Sequence, residues 1–227
     1  LSNAPTGNTA IMVTDERFVF ALGAGGNPRK IQWSDRENNN LWAAAATNEA
    51  GSIELQTSGV IQCGVRVQNQ ALILTTTDAH TATYSGPPYV YGVERVGTSC
   101  GCVSAQGVAV VDMGAVWMGR ESFFVYSGGT VQELASDVSD YIYSDINVAQ
   151  MSKIVAVSNA KFSEIRWFYP SAESTENNRY IAFNYQENTW TIGQIARTAA
   201  ADAGVYRYPI YASPTDKKLY EHEIGFN

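Results

Sequence analysis

Residues 108–134 read VAVVDMGAVWMGRESFFVYSGGTVQEL, and the fold is decided here. Four apolar runs, Val108 to Val111, Ala115 to Met118, Phe123 to Tyr126 and Val131 to Leu134, are separated by Asp112-Met113-Gly114, Gly119-Arg120-Glu121 and Gly128-Gly129. β-Branched and aromatic side chains suit a pleated, half-buried surface. Glycine supplies the positive φ that two-residue hairpin turns demand, so Ser127-Gly128-Gly129-Thr130 predicts a tight hairpin. The stretch is therefore expected to be an antiparallel four-stranded meander. A meander of this size cannot bury both faces alone, and radial stacking of copies as blades is the common remedy.

The same pattern recurs on both sides. Before it, strands are expected from Ala10 up to a turn at Asp15-Glu16, at Arg17 to Leu22 and at Arg29 to Trp33, then at Ile53 to Leu55, Val60 to Val67, Ala71 to Thr75, His80 to Tyr84 and Tyr89 to Val96. After it come Lys153 to Ser158, Glu164 to Tyr169, Arg179 to Tyr185, Thr189 to Gln194, Gly204 to Tyr208, Ile210 to Ala212 and Leu219 to His222. The second strands of successive units, marked by Phe18, Leu72, Val116, Ile165 and Ile210, stand 54, 44, 49 and 45 residues apart. Propeller arrays show a period of about 40 to 50 residues. The expectation is one all-β, β-propeller-like domain of about four to five blades, with units at 10–52, 53–106, 107–152, 153–197 and 198–227.

Two segments depart from the meander. Residues 34–51 are polar and rich in Asn and Ala, which predicts a loop with one helical turn between Ser34 and Trp42. After the central meander, Val138, Tyr141, Ile142 and Ile146 form a stripe at helical spacing, with Ser136 or Asp137 as cap and Asp140 in the favourable first turn. One short helix between blades is expected there. Ser171 to Asn178 is a polar, charged hairpin loop expected to project.

Composition excludes several functions. The 227 residues carry a net charge of -7, and no basic run exceeds Arg29-Lys30 or Lys217-Lys218. A protein that grips nucleic acid through phosphates needs a basic stripe, and none is readable. Charged residues make up only 16%, so much of the surface is neutral, while 13 Tyr and 5 Trp offer contact area at low entropy cost. Cys63, Cys100 and Cys102 are odd in number and lack a C-x-x-C spacing, so they read as free thiols in a reducing compartment. His80 and His222 stand far apart without paired ligands, and no metal or cofactor is expected. No apolar run reaches membrane-spanning length. Residues 1–7 are polar and begin without Met, which reads as an excised piece of a longer polypeptide or a Ser-Asn-Ala tag scar.

No catalytic constellation emerges. Asp15, Glu16, Asp35, Glu37, Glu94, Asp112 and Glu164 sit mostly at turns, where carboxylates bond their own backbone or water. Residues 33–42 resemble the Asp-box turn of sialidase propellers only faintly, since Ser34 and Asp35 are adjacent and no Gly follows. No G-x-S-x-G surrounds a serine, and His80 reads as a packed strand histidine. The GAGGNP run opens no helix and reads as a hairpin.

Several stretches resemble one family together: residues 30–38 leading to Trp42, 86–92, 95–101, 117–119, 123–129, 138–147, 166–170 and 220–223. In this order they are similar to the tail-nozzle, or tail-hub, proteins of short-tailed bacteriophages. The resemblance implies a non-enzymatic virion protein, assembled in the host cytoplasm. It would form a six-fold ring below the portal and adaptor that also meets tail fibres or spikes. Double-stranded DNA would pass through the lumen without sequence-specific binding and be retained until ejection. Contacts between subunits are expected at the two polar loops, with Asp35, Arg36, Asn38, Trp42, Glu173 and Asn177 as candidates. A carbohydrate-binding or sialidase-like propeller is the competing class.

Overall fold

The computed structural model describes residues 3–225; Leu1 and Ser2, where the polar start begins, lie outside the described residues. Five antiparallel sheets account for the regular structure, and in each the strands neighbour one another in chain order. The first holds β1 (Ala10–Val13), β2 (Val19–Leu22), β3 (Lys30–Trp33) and β4 (Gly51–Glu54). The second holds β5 (Ile61–Val67), β6 (Gln70–Thr75), β7 (Asp78–Gly86) and β8 (Val90–Thr98). The third is the central meander, with β9 (Val108–Val111), β10 (Gly114–Met118), β11 (Phe123–Ser127) and β12 (Thr130–Leu134). A helix, α1 (Ser139–Asp145), precedes the fourth sheet of β13 (Val155–Asn159), β14 (Glu164–Tyr169), β15 (Arg179–Asn184) and β16 (Thr189–Gly193). The last sheet has three strands, β17 (Ala199–Ala201), β18 (Ile210–Ala212) and β19 (Leu219–Glu221). The fold is all-β and propeller-like.

The central meander shows why the pattern works. All five residues of β10 are buried, as an inner strand requires, whereas outermost β12 buries none fully. Gly128 and Gly129 turn the β11–β12 hairpin at φ 59° and 87°, conformations that side chains with a Cβ rarely adopt.

Contacts divide the chain into two compact units, Leu1–Cys102 with Tyr126–Val131, and Val103–Val125 with Gln132–Asn227. In the first, Phe18, Phe20, Leu22, Ile31 and Trp33 pack with Ile61, Ile73 and Tyr91. The Phe20 and Tyr91 rings meet edge to face at 4.7 Å, a favoured geometry. In the second, Phe123, Ile165, Trp167, Ile181 and Phe183 form the centre, with Ile142 and Ile146 from the helical segment. Each such side chain contributes about 1.5–3 kcal/mol on burial.

Four expectations need correction. Ile53 to Leu55 does not open the second unit: β4 closes the first sheet, with Ile53 opposite Ile31 and Gly51 opposite Trp33. Residues 34–50 are thus an excursion between two paired strands, which local periodicity does not distinguish from a link between blades. The helical turn expected between Ser34 and Trp42 is replaced by turns and a bridge between Asp35 and Asn38. The Asn38 carboxamide oxygen accepts the Asn40 backbone N–H at 3.1 Å, the local bonding by which Asn competes with helix.

Helix α1 is also shorter than its stripe. It starts after Val138 with no side-chain cap, Asp140 stands in its first turn, and Tyr141 is exposed although Ile142 is buried. In the last sheet, the strand expected at Gly204 to Tyr208 lies instead at Ala199–Ala201, where Ala200 faces Tyr211 across the ladder. A small side chain leaves room for that ring, while Val205 is fully exposed.

Candidate functional site

The two polar loops are tied down by their own chain. In the first, the Asp35 carboxylate accepts the backbone N–H of Glu49 at 2.9 Å, and Trp33 Nε1 donates to the Glu49 carbonyl at 2.9 Å. Arg36 lies 3.4 Å from the Glu49 carboxylate and 4.9 Å from the centre of the Tyr84 ring. The Tyr84 hydroxyl donates to the same carboxylate at 2.7 Å, and this bond raises its pKa above the ordinary tyrosine value. Trp42 is only 4% exposed, packing with Ala21 and Ala24. Arg36 is exposed, Asp35 and Asn38 partly so, and residues 43–47 form the exposed crest.

The second loop is held at its base by Asn147 and Lys153. Lys153 Nζ donates to the Thr175 carbonyl at 2.7 Å, Asn147 to the Ser174 carbonyl at 2.9 Å, and the buried Asn177 to the Lys153 carbonyl at 2.7 Å. Glu173 is exposed. Trp42 and Asn177 are therefore corrected from contact residues to internal anchors, because Trp42 is buried on Ala21 and Ala24 and Asn177 on the Lys153 carbonyl.

Most of the candidate carboxylates are engaged by partners of their own. Asp15 pairs with Arg66 at 3.1 Å, Glu37 with Arg17 at 2.6 Å and Glu164 with Arg166 at 2.8 Å, while Glu16 accepts the Tyr91 hydroxyl at 3.0 Å. Among the described residues no cluster of His, Cys, Asp and Glu could hold a metal ion. All three cysteines are unbridged and buried. A hydrogen bond with Cys102, then burial, push the Cys63 thiol well up, and burial lifts Cys100 to about 11.

Sequence reasoning passed over the site with the most chemistry. Asp78 and His80 lie two residues apart on β7, a spacing that puts both on one face. The buried Asp78 carboxylate accepts from Thr57 at 2.9 Å and Thr75 at 2.5 Å. His80 Nε2 stands 3.2 Å from the same oxygen, within ion-pair reach though off hydrogen-bond alignment. Burial alone would raise the Asp78 carboxyl, but the threonine hydroxyls and the His80 ring hold it below its ordinary value. His80 opposes Arg95 across the β7–β8 ladder. Both line a cavity of about 240 Å³ with Ile53, Glu54, Leu55, Gln56 and Val93. The Asp-x-His spacing was the available signal, but its meaning depends on β8 and β4 arriving beside it.

Fold and geometry together define an all-β, propeller-like protein with tied-down loops and a cavity beside His80 and Arg95. No family model matches the chain, and no curated protein matches it in sequence. A Bacteroides uniformis protein named as a candidate 6-phosphogluconolactonase is similar in structure, with TM-score 0.59 and 12% identity, over 94% of this chain and 68% of that one. The N-terminal domain of Nup159 is similar at TM-score 0.52 and 10% identity, over 93% of this chain and 59% of that one. Hsv2 of Kluyvelomyces marxianus is similar at TM-score 0.52 and 9% identity, over 95% and 60%. The chain thus spans three fifths to about two thirds of these proteins' lengths, and the likeness is one of fold.

Proposed function

We propose that the chain is a structural protein of a short bacteriophage tail. It forms a ring, six-fold by the family resemblance, below the portal and adaptor, continues the DNA channel, and retains packaged DNA until ejection. The observation that carries this reading is the exposure of apolar side chains on strands at the ends of their sheets. Ile11 on β1 is 65% exposed, Val110 on β9 44%, and Leu219 on β19 73%. Apolar side chains left exposed in this way are candidates for burial against another subunit. In a ring each such patch meets a different patch on the next copy, and a rotation that closes leaves none open.

Other features agree. A net charge of -7 suits a wall that DNA passes without adhering. Among the described residues no helix is long and apolar enough to cross a membrane. The reading assigns the protein to the virion, after assembly in the host cytoplasm, in contact with adaptor, portal and fibres or spikes.

The test is assembly of the full chain, alone and with its particle's adaptor, followed by negative-stain imaging and mass measurement. Rings are expected, and Leu219→Lys with Ile11→Lys should lower the ring fraction at least tenfold, about 1.4 kcal/mol. A chain that stays monomeric with adaptor at micromolar concentration would falsify the reading. One observation favours the carbohydrate-binding class: Tyr89, 81% exposed, stands at the tip of the β7–β8 turn. Glycan-array binding lost in Tyr89→Ala would move the assignment there, and turnover of a fluorogenic sialoside would make it a hydrolase.

A further inference from the structure

Arg95 differs from the six arginines that are ion-paired on the strands and loops. Arg17, Arg29, Arg36, Arg66, Arg166 and Arg179 each have a carboxylate within 3.4 Å. Among the described residues no hydrogen bond or ion pair engages Arg95, although the chain is acidic overall. Its side chain lines the 240 Å³ cavity beside His80, whose ring is 3% exposed and leans on Asp78. His80 and Arg95 are direct cross-strand partners, and Val93, opposite Ala82, shares their face. Ile53 and Leu55 supply a further apolar wall, and Gln56 a neutral amide. Glu54 also lines the cavity, but Arg29 holds its carboxylate at 2.9 Å and offsets its charge.

We propose that this cavity binds a small organic carboxylate. The Arg95 guanidinium presents a planar fork that fits a carboxylate through two N–H···O bonds. The hydrocarbon tail lies against Ile53, Leu55 and Val93. A monoanion is favoured over a phosphate dianion because the buried Asp78 carboxylate lies behind His80, and repulsion grows with ligand charge. The cavity is smaller than the roughly 300–1,000 Å³ of drug-sized pockets, so a chain of about four to six carbons fits it. This site is independent of the ring reading: it lies within one compact unit and needs no partner copy.

The experiment titrates the full chain with acetate, butanoate, hexanoate, butanamide and inorganic phosphate, followed by NMR shifts and calorimetry. Butanoate is expected to saturate, with affinity rising about fourfold per methylene from acetate until the cavity is filled. Butanamide and phosphate should bind at least about tenfold more weakly. Arg95→Ala, at an exposed position that keeps the fold, should weaken butanoate about tenfold or more, and Arg95→Lys should restore part of it. Arg66→Ala, a distant exposed arginine, should change nothing. Absence of saturation by butanoate, unchanged binding in Arg95→Ala, or tighter binding of phosphate than butanoate would each overturn the proposal.

Discussion

The β13–β16 sheet buries Ile165, Trp167, Ile181 and Phe183 to within 2% of complete, whereas β17–β19 fully buries only Tyr211. Both are antiparallel meanders in one compact unit. The difference lies in what covers them. Trp167 packs on Phe123 at 4.9 Å and donates its indole N–H to the Gly107 carbonyl at 3.0 Å. Phe183 stacks on Trp190 at 4.5 Å, and Trp190 donates to the Ala135 carbonyl at 3.0 Å. The last sheet has three-residue strands, and Tyr211 meets Phe168 edge to face at 5.7 Å. Stability of a meander thus follows the aromatic surface pressed on it more than its own hydrogen-bond ladder, because an isolated small sheet is marginal in water.

The largest expected effect separates the two sheets. Trp167→Ala should cost about 3–5 kcal/mol, read from urea unfolding, because a fully enclosed indole leaves a cavity that its neighbours cannot fill. Leu219→Ala on β19 should stay within about 0.5 kcal/mol, since that side chain is largely solvated. Equal losses at both positions would break the comparison. Amide exchange sharpens it without mutation: β17–β19 should exchange through local opening, well before β14 and β15.

A steric test of intermediate size concerns the corrected first sheet. A Cβ at Gly51 would sit 2.6 Å from the Trp33 ring, so Gly51→Ala should cost about 1–3 kcal/mol. A neutral result would mean that β4 does not close on β3.

The pH dependence contrasts buried and exposed acids. Asp78 titrates below its unfolded value of about 3.9. Its contribution is therefore present above that value and lost as pH falls through the lower folded one. Asp78→Asn should flatten the acid limb of the stability curve between about pH 5 and 2. Asp216, fully exposed in the β18–β19 turn and also lowered, by the Tyr220 hydroxyl first, should leave the limb unchanged when replaced by Asn. The smallest effect is chemical. With Cys100 raised to about 11 and all three thiols buried, alkylation near neutral pH should be negligible until denaturant is added.

Strand positions were largely legible because alternation and glycine turns are local. Val108 to Leu134 needed no tertiary information to read as a meander, and its strands lie where the apolar runs fall. The candidate residues were less legible. Trp42 and Asn177 looked like loop contacts because polar neighbours surround them in sequence, but they face inward. Tyr141 looked like core because of its spacing, yet it accepts a hydrogen bond from Arg179 at 2.7 Å at the surface. Of the cavity at Arg95 only the Asp78-x-His80 spacing was legible, since Ile53, His80 and Arg95 are distant in sequence.

What the residues alone determined is the recurring antiparallel module: period-two alternation and positive-φ turns act over a few neighbours, and their energetics need no distant partner. Which segment closes each sheet, which loops fold back, and that Arg95 meets a cavity wall instead of a carboxylate were decided only by tertiary structure. Pairing across long sequence gaps depends on the shape of the assembled surface, and no local pattern encodes that shape.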